Sequence, residues 1–117
     1  MVSSIDSGLS ALRAFGDKME VTSNNIANVN TEEFKKSRAI LKEGSNSNVK
    51  VEIDRVNTPG PTIVEIDGGK MTEKELSNVD LAEEIPQTII SQRGYEANLT
   101  TVKTRDEMLG TLIDIIS

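Results

Sequence analysis

The chain has 117 residues and a formal net charge of −6, and it contains no cysteine and no histidine. These absences exclude disulfides, thiolate nucleophiles, the usual zinc ligands and the commonest general base, so we expect no cofactor. A surface with this negative balance repels phosphate backbones, so we expect no nucleic-acid partner. No apolar run approaches the ~20 residues of a membrane span, and the first residues lack the basic and apolar regions of a signal peptide. We therefore expect neither membrane insertion nor a cleaved leader.

An amphipathic pattern predicts a long first helix. Its apolar positions, called here the first seam, advance by alternating steps of three and four residues, which is the repeat of a coiled coil. Asparagine readily occupies helix C-terminal positions, so the Asn-rich run predicts a stop near Asn28–Asn30. The first seam consists of Ile5, Leu9, Leu12, Gly16, Met19, Ser23 and Ile26.

The period changes to two in the middle of the chain, where residues 48–56 and 62–66 have the alternation of short strands. Asp67-Gly68-Gly69-Lys70 predicts a turn, and residues 44–48 predict a mobile loop. Two or three such strands make a small hairpin region that needs the helices for stability.

A basic cluster follows the first helix and consists of Lys35, Lys36, Arg38 and Lys42. One interpretation is a solvated turn and strand edge. The other is a docking patch for an acidic protein surface.

Asp80 opens a second helical pattern, with Glu83 three residues later as in a capping box. Pro86 lies too deep for a first-turn proline, so we expect a kink or a delayed start there. The second seam is again spaced by threes and fours. It consists of Leu81, Ile85, Thr88, Gln92, Tyr95, Leu99, Val102, Asp106, Leu109, Ile113 and Ile116.

Several positions in both seams hold Gly, Ser, Thr, Gln or Asp, so the seams are marginal within one subunit and better satisfied by neighbouring copies. Adjacent carboxylates such as Glu83 and Glu84 point apart on a helix and make no catalytic pair. The pattern therefore favours an assembling structural protein over an enzyme. We hypothesise that the isolated protein is a loosely helical monomer that gains order on assembly.

Two polar clusters lie on or beside the seams. One reading is an exposed helix face with an ordinary C-terminal cap; the other is a specific contact between subunits that fixes register. The clusters are Asn24, Asn25 and Asn28 near the end of the first helix, and Gln92, Arg93, Tyr95 and Asn98 in the second.

Both ends of the chain resemble known signatures. Leu9-Ser10-Ala11-Leu12 through residues 23–31 (Ser-Asn-Asn-Ile-Ala-Asn-Val-Asn-Thr) closely resembles the N-terminal signature of bacterial flagellar basal-body rod and hook proteins. Residues 77–84, 92–98 and 106–112 resemble the C-terminal signature of the same family. The resemblance covers roughly half of the chain, in the order that the family has.

The resemblance implies a structural role, with terminal helices of many subunits packed as coiled coils in a helical axial structure. It also implies export through the flagellar type III apparatus without a cleaved signal, and a place in the basal-body rod within the periplasmic space. The short middle is most similar to the small proximal-rod members (FlgB/FlgC type). One departure is Glu33, where the family commonly has glycine before the phenylalanine; if that position needs a positive φ, Glu33 is strained.

We expect a mainly α fold in which two long antiparallel terminal helices flank a small β-hairpin region. The expected segments are 1–30, 31–76 and 77–117. The expected function is a self-assembling flagellar rod subunit; the alternative is a soluble adaptor or export-regulating protein that binds one flagellar partner through its helices.

Asn24, Asn28, Gln92 and Tyr95 should set register. Within or between subunits, apolar residues of the first seam should face apolar residues of the second, namely Ile5, Leu9, Leu12, Met19 and Ile26 against Leu99, Val102, Leu109 and Ile113. The subunit-interface candidates are Leu9, Leu12, Asn24, Asn25, Ile26, Asn28, Phe34, Gln92, Arg93, Tyr95, Asn98, Leu99 and Leu109.

Overall fold

The computed structural model describes the backbone of residues 2–116 and the side chains of residues 5–116. The first and last residues of the expected terminal segments therefore lie outside the described residues. The elements, in chain order, are α1 (Val2–Ala27), β1 (Ser37–Glu43), β2 (Val49–Arg55), β3 (Thr62–Asp67), β4 (Lys70–Glu75) and α2 (Leu81–Ile116). Two long helices flanking a small antiparallel β region confirm the predicted fold class.

The two helices pack antiparallel. Gly8 near the start of α1 lies against Val102, and Phe15 lies against Gly94. Near the end of α1, Asn25 reaches Glu84 in the first turn of α2. From the start of α1 to its end, the contacted residues of α2 therefore come progressively closer to the start of α2. A methyl group on Gly94 would lie 2.4 Å from Cε1 of Phe15, so the glycine permits a close approach.

The buried residues of α1 and α2 are mainly small or polar. They are Ala11, Leu12, Ala14, Thr22, Asn25, Glu84 and Ser91. Most of them lie one position before a residue of the predicted seams, and one position rotates a helix residue by roughly 100°. Short side chains allow a small interaxial distance. The chain therefore packs on its small residues and leaves much of the apolar seam at the outside.

The first hairpin lies along α1. β1 pairs with β2 from Ser37↔Arg55 to Glu43↔Val49, and both strands contact α1. The hydroxyl of Ser10 accepts a hydrogen bond from the Val49 N–H at 3.0 Å and so fixes β2 to the helix. Residues 44–48, predicted as a loop, contain a short 3₁₀ turn (Ser45–Ser47) that joins the two strands.

The second hairpin extends away from the helices. β3 pairs with β4 from Thr62↔Glu75 to Asp67↔Lys70, and the predicted turn is present, with positive φ at Gly68 and Gly69. The molecule measures 83 × 23 × 17 Å, whereas α2 alone accounts for ~54 Å. The β3–β4 hairpin therefore lengthens the molecule beyond the start of α2.

The strand prediction was incomplete. Residues 48–56 and 62–66 contain β2 and β3, but these strands do not pair with each other. Each pairs with a strand that the sequence analysis missed, because β1 lies in the basic cluster and β4 is almost wholly polar. The result is two separate hairpins instead of one.

The helix ends follow the local sequence. α1 stops at Ala27, which confirms the predicted stop. At the start of α2, Oδ1 of Asp80 accepts a hydrogen bond from the Ala82 N–H at 3.0 Å, as an N-cap does. Of the two alternatives expected at Pro86, the delayed start is wrong, because α2 begins at Leu81 and includes the proline, and the kink stays a prediction. Pro86 leaves the Ala82 carbonyl without its helical donor, and Ala82 is exposed to water.

Candidate assembly surface

Asn25 joins three elements at one point, which we call the Asn25 junction. Its Oδ1 accepts a hydrogen bond from the Ser37 N–H at 3.0 Å, and its Nδ2 donates to the Ser37 carbonyl at 2.7 Å. The same Nδ2 donates to Oε2 of Glu84 at 3.3 Å. Asn25 is 1% exposed and Glu84 7%. The Asn25 amide therefore fixes the first residue of β1 and the first turn of α2 in place against the end of α1.

The side chain of Asn78 likewise joins backbone segments that are distant in sequence. Its Nδ2 donates to the carbonyls of Val56 and Thr58 at 2.9 and 3.0 Å, and its Oδ1 accepts from the Lys36 N–H at 2.7 Å. The Asn78 N–H donates to the Phe34 carbonyl at 3.3 Å. The sequence analysis missed this role, although Asn78 stands inside the C-terminal signature.

The turn before Phe34 has a positive φ at Glu33, the position where the family commonly has glycine. Glu33 has φ = 60°, in the left-handed region that side chains disfavour. Its N–H donates to the Glu75 carbonyl at 3.0 Å, so the strained residue connects α1 to the end of β4. The positive φ on which the expectation of strain at Glu33 depends is present.

Glu75 attaches the second hairpin to the rest of the chain. Its Oε1 accepts from Nζ of Lys35 and from the Gly60 N–H. These two donors, first the lysine and then the backbone amide, hold the pKa of Glu75 below its ordinary value. Gly60 cannot be larger here, since a Cβ would lie 2.1 Å from the Leu76 carbonyl oxygen.

The basic cluster is largely paired within the chain. Lys35 pairs with Glu75, Lys36 with Glu83 at 3.0 Å, and Lys42 with Glu52. The pairing with Glu52 raises the pKa of Lys42. Lys74, outside the cluster, bonds Glu65 at 2.5 Å, and its pKa is also raised. Arg38 is the exposed member of the cluster that enters none of these pairs.

Apolar side chains of the two seams remain on the outside. We call this set the outer stripe: Leu9, Ile85, Tyr95, Leu99 and Ile113. Tyr95 is 42% exposed and Leu99 49%. An apolar groove of about 310 Å³ lies beside it, lined by Phe15, Gly16, Met19, Ser91 and Tyr95 among others. The outer stripe is a surface that another apolar surface can cover.

The structure distributes the interface candidates over three environments. Leu12 and Asn25 are buried within the chain. The half-buried candidates are Ile26, Asn28, Phe34, Asn98 and Leu109, and the exposed ones are Leu9, Asn24, Gln92, Arg93, Tyr95 and Leu99.

The other polar candidates bond locally. Nδ2 of Asn28 donates to the Asn24 carbonyl at 2.8 Å, and Nδ2 of Asn98 donates to the Gly94 carbonyl at 2.7 Å. Nε2 of Gln92 donates to Oε1 of Glu96 at 3.2 Å. Asn24 and Asn28 thus meet within α1, and the α2 side chain to which Asn25 donates is Glu84, which was not among the candidates.

Two further features are absent from residues 2–116. Neither helix is long and apolar enough to cross a membrane. No group of three or more Asp and Glu side chains in this range is placed to hold a metal ion.

Two family models match the chain, one at each end. Residues 5–35 match the model described as "Flagella basal body rod protein", and residues 74–115 match "Flagellar basal body rod FlgEFG protein C-terminal". The two matched ranges contain α1 with its Glu33 turn, and α2 with the residues that precede it. Both members of the Asn25–Glu84 contact therefore lie in matched residues.

Curated relatives agree with these matches. The flagellar basal-body rod protein FlgG of Bacillus subtilis is 51% identical over 63 residues, which are 50% of this chain and 22% of that protein. The flagellar hook protein FlgE of Salmonella typhimurium is 45% identical over 49 residues, covering 40% of this chain and 12% of that protein. The chain thus covers less than a quarter of the length of either relative. With both signatures present in order and joined in one helix pair, the chain belongs to the flagellar basal-body rod protein family.

Proposed function

We propose that this protein is a structural subunit of the flagellar basal-body rod that assembles with copies of itself and with other axial subunits through α1 and α2. The family membership supports the structural role. The observation that carries the assembly is the outer stripe, which keeps apolar residues exposed along a helix pair whose buried residues are mainly small or polar. Such a surface on a soluble protein marks an interaction site.

Packing between subunits follows from the shape of the pair. Leu99 and Tyr95 of one copy enter the groove beside Phe15 of the next, in the manner of knobs entering holes. Complete burial of a leucine contributes about 1.5–3 kcal/mol, so a residue that is already half covered contributes about 1 kcal/mol. Several such residues per copy give a specific, cooperative assembly although each contact is weak.

The remaining candidates have supporting roles in this proposal. Asn24, Asn28, Gln92, Arg93 and Asn98 set register between neighbouring helices, while Leu12 and Asn25 hold each helix pair together. Residues 1–30 and 77–117 form the assembling part, and residues 31–76 carry the two hairpins. The role is one of packing and load transfer, with no catalytic step.

The finer placement is also part of the proposal. The subunit is exported through the flagellar type III apparatus without a cleaved signal and takes its place in the rod, in the periplasmic space. Residues 28–80 hold only two short hairpins between the helices, which supports a proximal-rod subtype (FlgB/FlgC-like) over members with large inserted domains.

The test is concentration-dependent association of the purified chain, followed by sedimentation velocity and negative-stain electron microscopy. Wild-type protein should form multi-copy elongated assemblies. Leu99→Gln should weaken association about fivefold per contact, since it removes about 1 kcal/mol. Ile66→Gln is the matched control, because Ile66 is exposed on β3 outside the outer stripe.

Two results contradict the proposal. One is a wild-type chain that remains monomeric with the outer stripe exposed. The other is a defined low-order complex with a single flagellar partner and no larger assembly, which is the behaviour expected of an adaptor.

A further inference from the structure

Two clefts of opposite charge flank the first residue of β1. Both are lined by Ser37 and by Val21 of α1, so they lie at the same position along the long axis of the molecule. One faces α2 and is called here the basic cleft. The other lies on the far side of β1 and is called the acidic cleft.

The basic cleft has a volume of about 320 Å³ and is lined by Lys18, Lys36 and Arg38 together with Glu83 and Glu84. Its internal contacts remove part of this charge. Lys36 pairs with Glu83, and the buried Glu84 accepts a hydrogen bond from Asn25. Among the residues that the structure describes, Lys18 and Arg38 have no ion-pair partner. The cleft therefore has three positive and two negative side chains, a formal net charge of +1, and its Lys18 and Arg38 lie outside any ion pair.

The acidic cleft is about 460 Å³ and is lined by Asp17, Glu20, Asn24 and Ile53. Asp17 and Glu20 are exposed, and neither forms an ion pair with any other side chain of residues 5–116. Ile53 is 57% exposed at the end of β2. The cleft combines two unmatched negative charges with an apolar floor.

The two clefts open in different directions. On α1, the residues of the acidic cleft lie at positions 17, 20 and 24, while Lys18 and Thr22 of the basic cleft are centred about 150° further round the helix. The clefts thus open toward different sides of α1 without being diametrically opposed.

We propose that a second copy of this chain docks here, with the acidic cleft of one copy seated against the basic cleft of the next. The occupant follows from charge complementarity: Asp17 and Glu20 meet Lys18 and Arg38, and Ile53 loses its exposure. Because each copy carries a net charge of −6, copies repel in other orientations, and a local match of opposite charges selects this one.

The contact joins two different patches, so it is heterologous and propagates from copy to copy. Since the patches lie about 150° apart around α1 and not 180°, a row of copies curves around an axis. This inference rests on the proposed self-assembly and adds to it a lateral contact outside the outer stripe.

The test uses complementary charge reversals in the full chain. Asp17→Lys alone and Arg38→Glu alone should each weaken self-association about tenfold in sedimentation velocity at low salt. An equimolar mixture of the two variants should regain association within about twofold of the wild type, because each reversed cleft then meets a complementary one. Raising the salt concentration should weaken the wild type and leave the single variants nearly unchanged.

Matched controls carry the same changes in charge elsewhere. Asp67→Lys lies in the β3–β4 turn, and Lys50→Glu is exposed on β2 outside both clefts. Both should associate like the wild type. Circular dichroism of each variant shows whether the fold is kept.

The inference is overturned if the reversals associate like their controls, or if mixing them restores nothing. If Leu99→Gln still weakens association in that case, the proposed function stands without this contact. A wild-type chain that never associates contradicts both.

Discussion

The Asn25 junction and the β3–β4 hairpin differ in the burial of their side chains and in how they are attached to the rest of the chain. At the junction, the buried side chains are polar or small, and their hydrogen bonds close within the chain: Asn25 satisfies both backbone groups of Ser37 and reaches Glu84. In the hairpin, every residue of β3 is exposed, and Ile66 and Met71 are 68% and 78% accessible. The hairpin connects to the rest mainly through Glu75 and its neighbours.

This difference shows where a chain with few apolar residues places its polar and its apolar side chains. Buried polar groups are costly unless bonded, and a fully bonded set fixes one geometry. The apolar residues are then not consumed by the chain's own core. They stay along the outer stripe and on the second hairpin, where a neighbouring molecule can cover them.

The largest expected effect comes from breaking the junction. Asn25→Ala leaves the partly buried N–H and carbonyl of Ser37 and a carboxylate oxygen of the buried Glu84 without this partner. We expect a loss of about 3 kcal/mol in the free energy of unfolding, measured by urea denaturation with circular dichroism. Asn24→Ala is the matched control; it is exposed and should change stability by less than about 0.5 kcal/mol. Equal losses in both variants would refute a special role for Asn25.

A second test extends the comparison along the helix pair. Gly94→Ala places a methyl group against Phe15 and should cost about 2 kcal/mol through overpacking. Gly110→Ala, in the same helix with no atom within 4 Å of the new Cβ, should stabilise by about 0.5–1 kcal/mol. Thermal melting of the two variants measures the difference in sign. Stabilisation by both would mean that α1 and α2 do not pack closely at Gly94.

The sequence predicted elements well wherever the signal was local. The helix stop near Asn28, the Asp80 cap and the Gly68-Gly69 turn all depend on neighbouring residues, and all are present. The seams were found by periodicity, but periodicity does not say which face of a helix turns inward. A face of Gly, Ala and Ser that packs closely competes with an apolar face one position away.

The missed features depend on distant parts of the chain. β4 has the composition of a loop and becomes a strand through its pairing with β3. Asn78 and Glu75 bond to backbone groups that are far away in sequence, so no local pattern identifies them. Gly60, placed between two prolines, had a signal for an unusual backbone, but its close contact with Leu76 appears only in three dimensions.

A third prediction concerns the turn that connects the two regions. Glu33→Gly relieves the positive φ and should stabilise the chain by about 0.5–1 kcal/mol, because the cost of the left-handed backbone exceeds the added entropy of glycine in the unfolded state. Glu32→Gly, one residue earlier and without positive φ, should be neutral or destabilising. Urea midpoints of the two variants give the comparison, and a destabilised Glu33→Gly would contradict the strain.

The smallest effect is a pH dependence in the attachment of the second hairpin. Lys35 and the Gly60 N–H both favour the ionised form of Glu75, so its pKa lies below the ordinary 4.5. A carboxyl whose folded pKa is lowered contributes stability above the unfolded value and loses it as the pH falls through the folded value. The Gly60 amide signal in NMR spectra should therefore stay constant above about pH 5 and shift with a midpoint below 4.5. Glu75→Gln should abolish this shift, while Glu73→Gln, exposed on the same strand, should keep it. A midpoint at or above the ordinary value would mean that Glu75 does not hold the hairpin, which would then be attached by the backbone bond from Glu33, the Lys74–Glu32 ion pair and the chain connections.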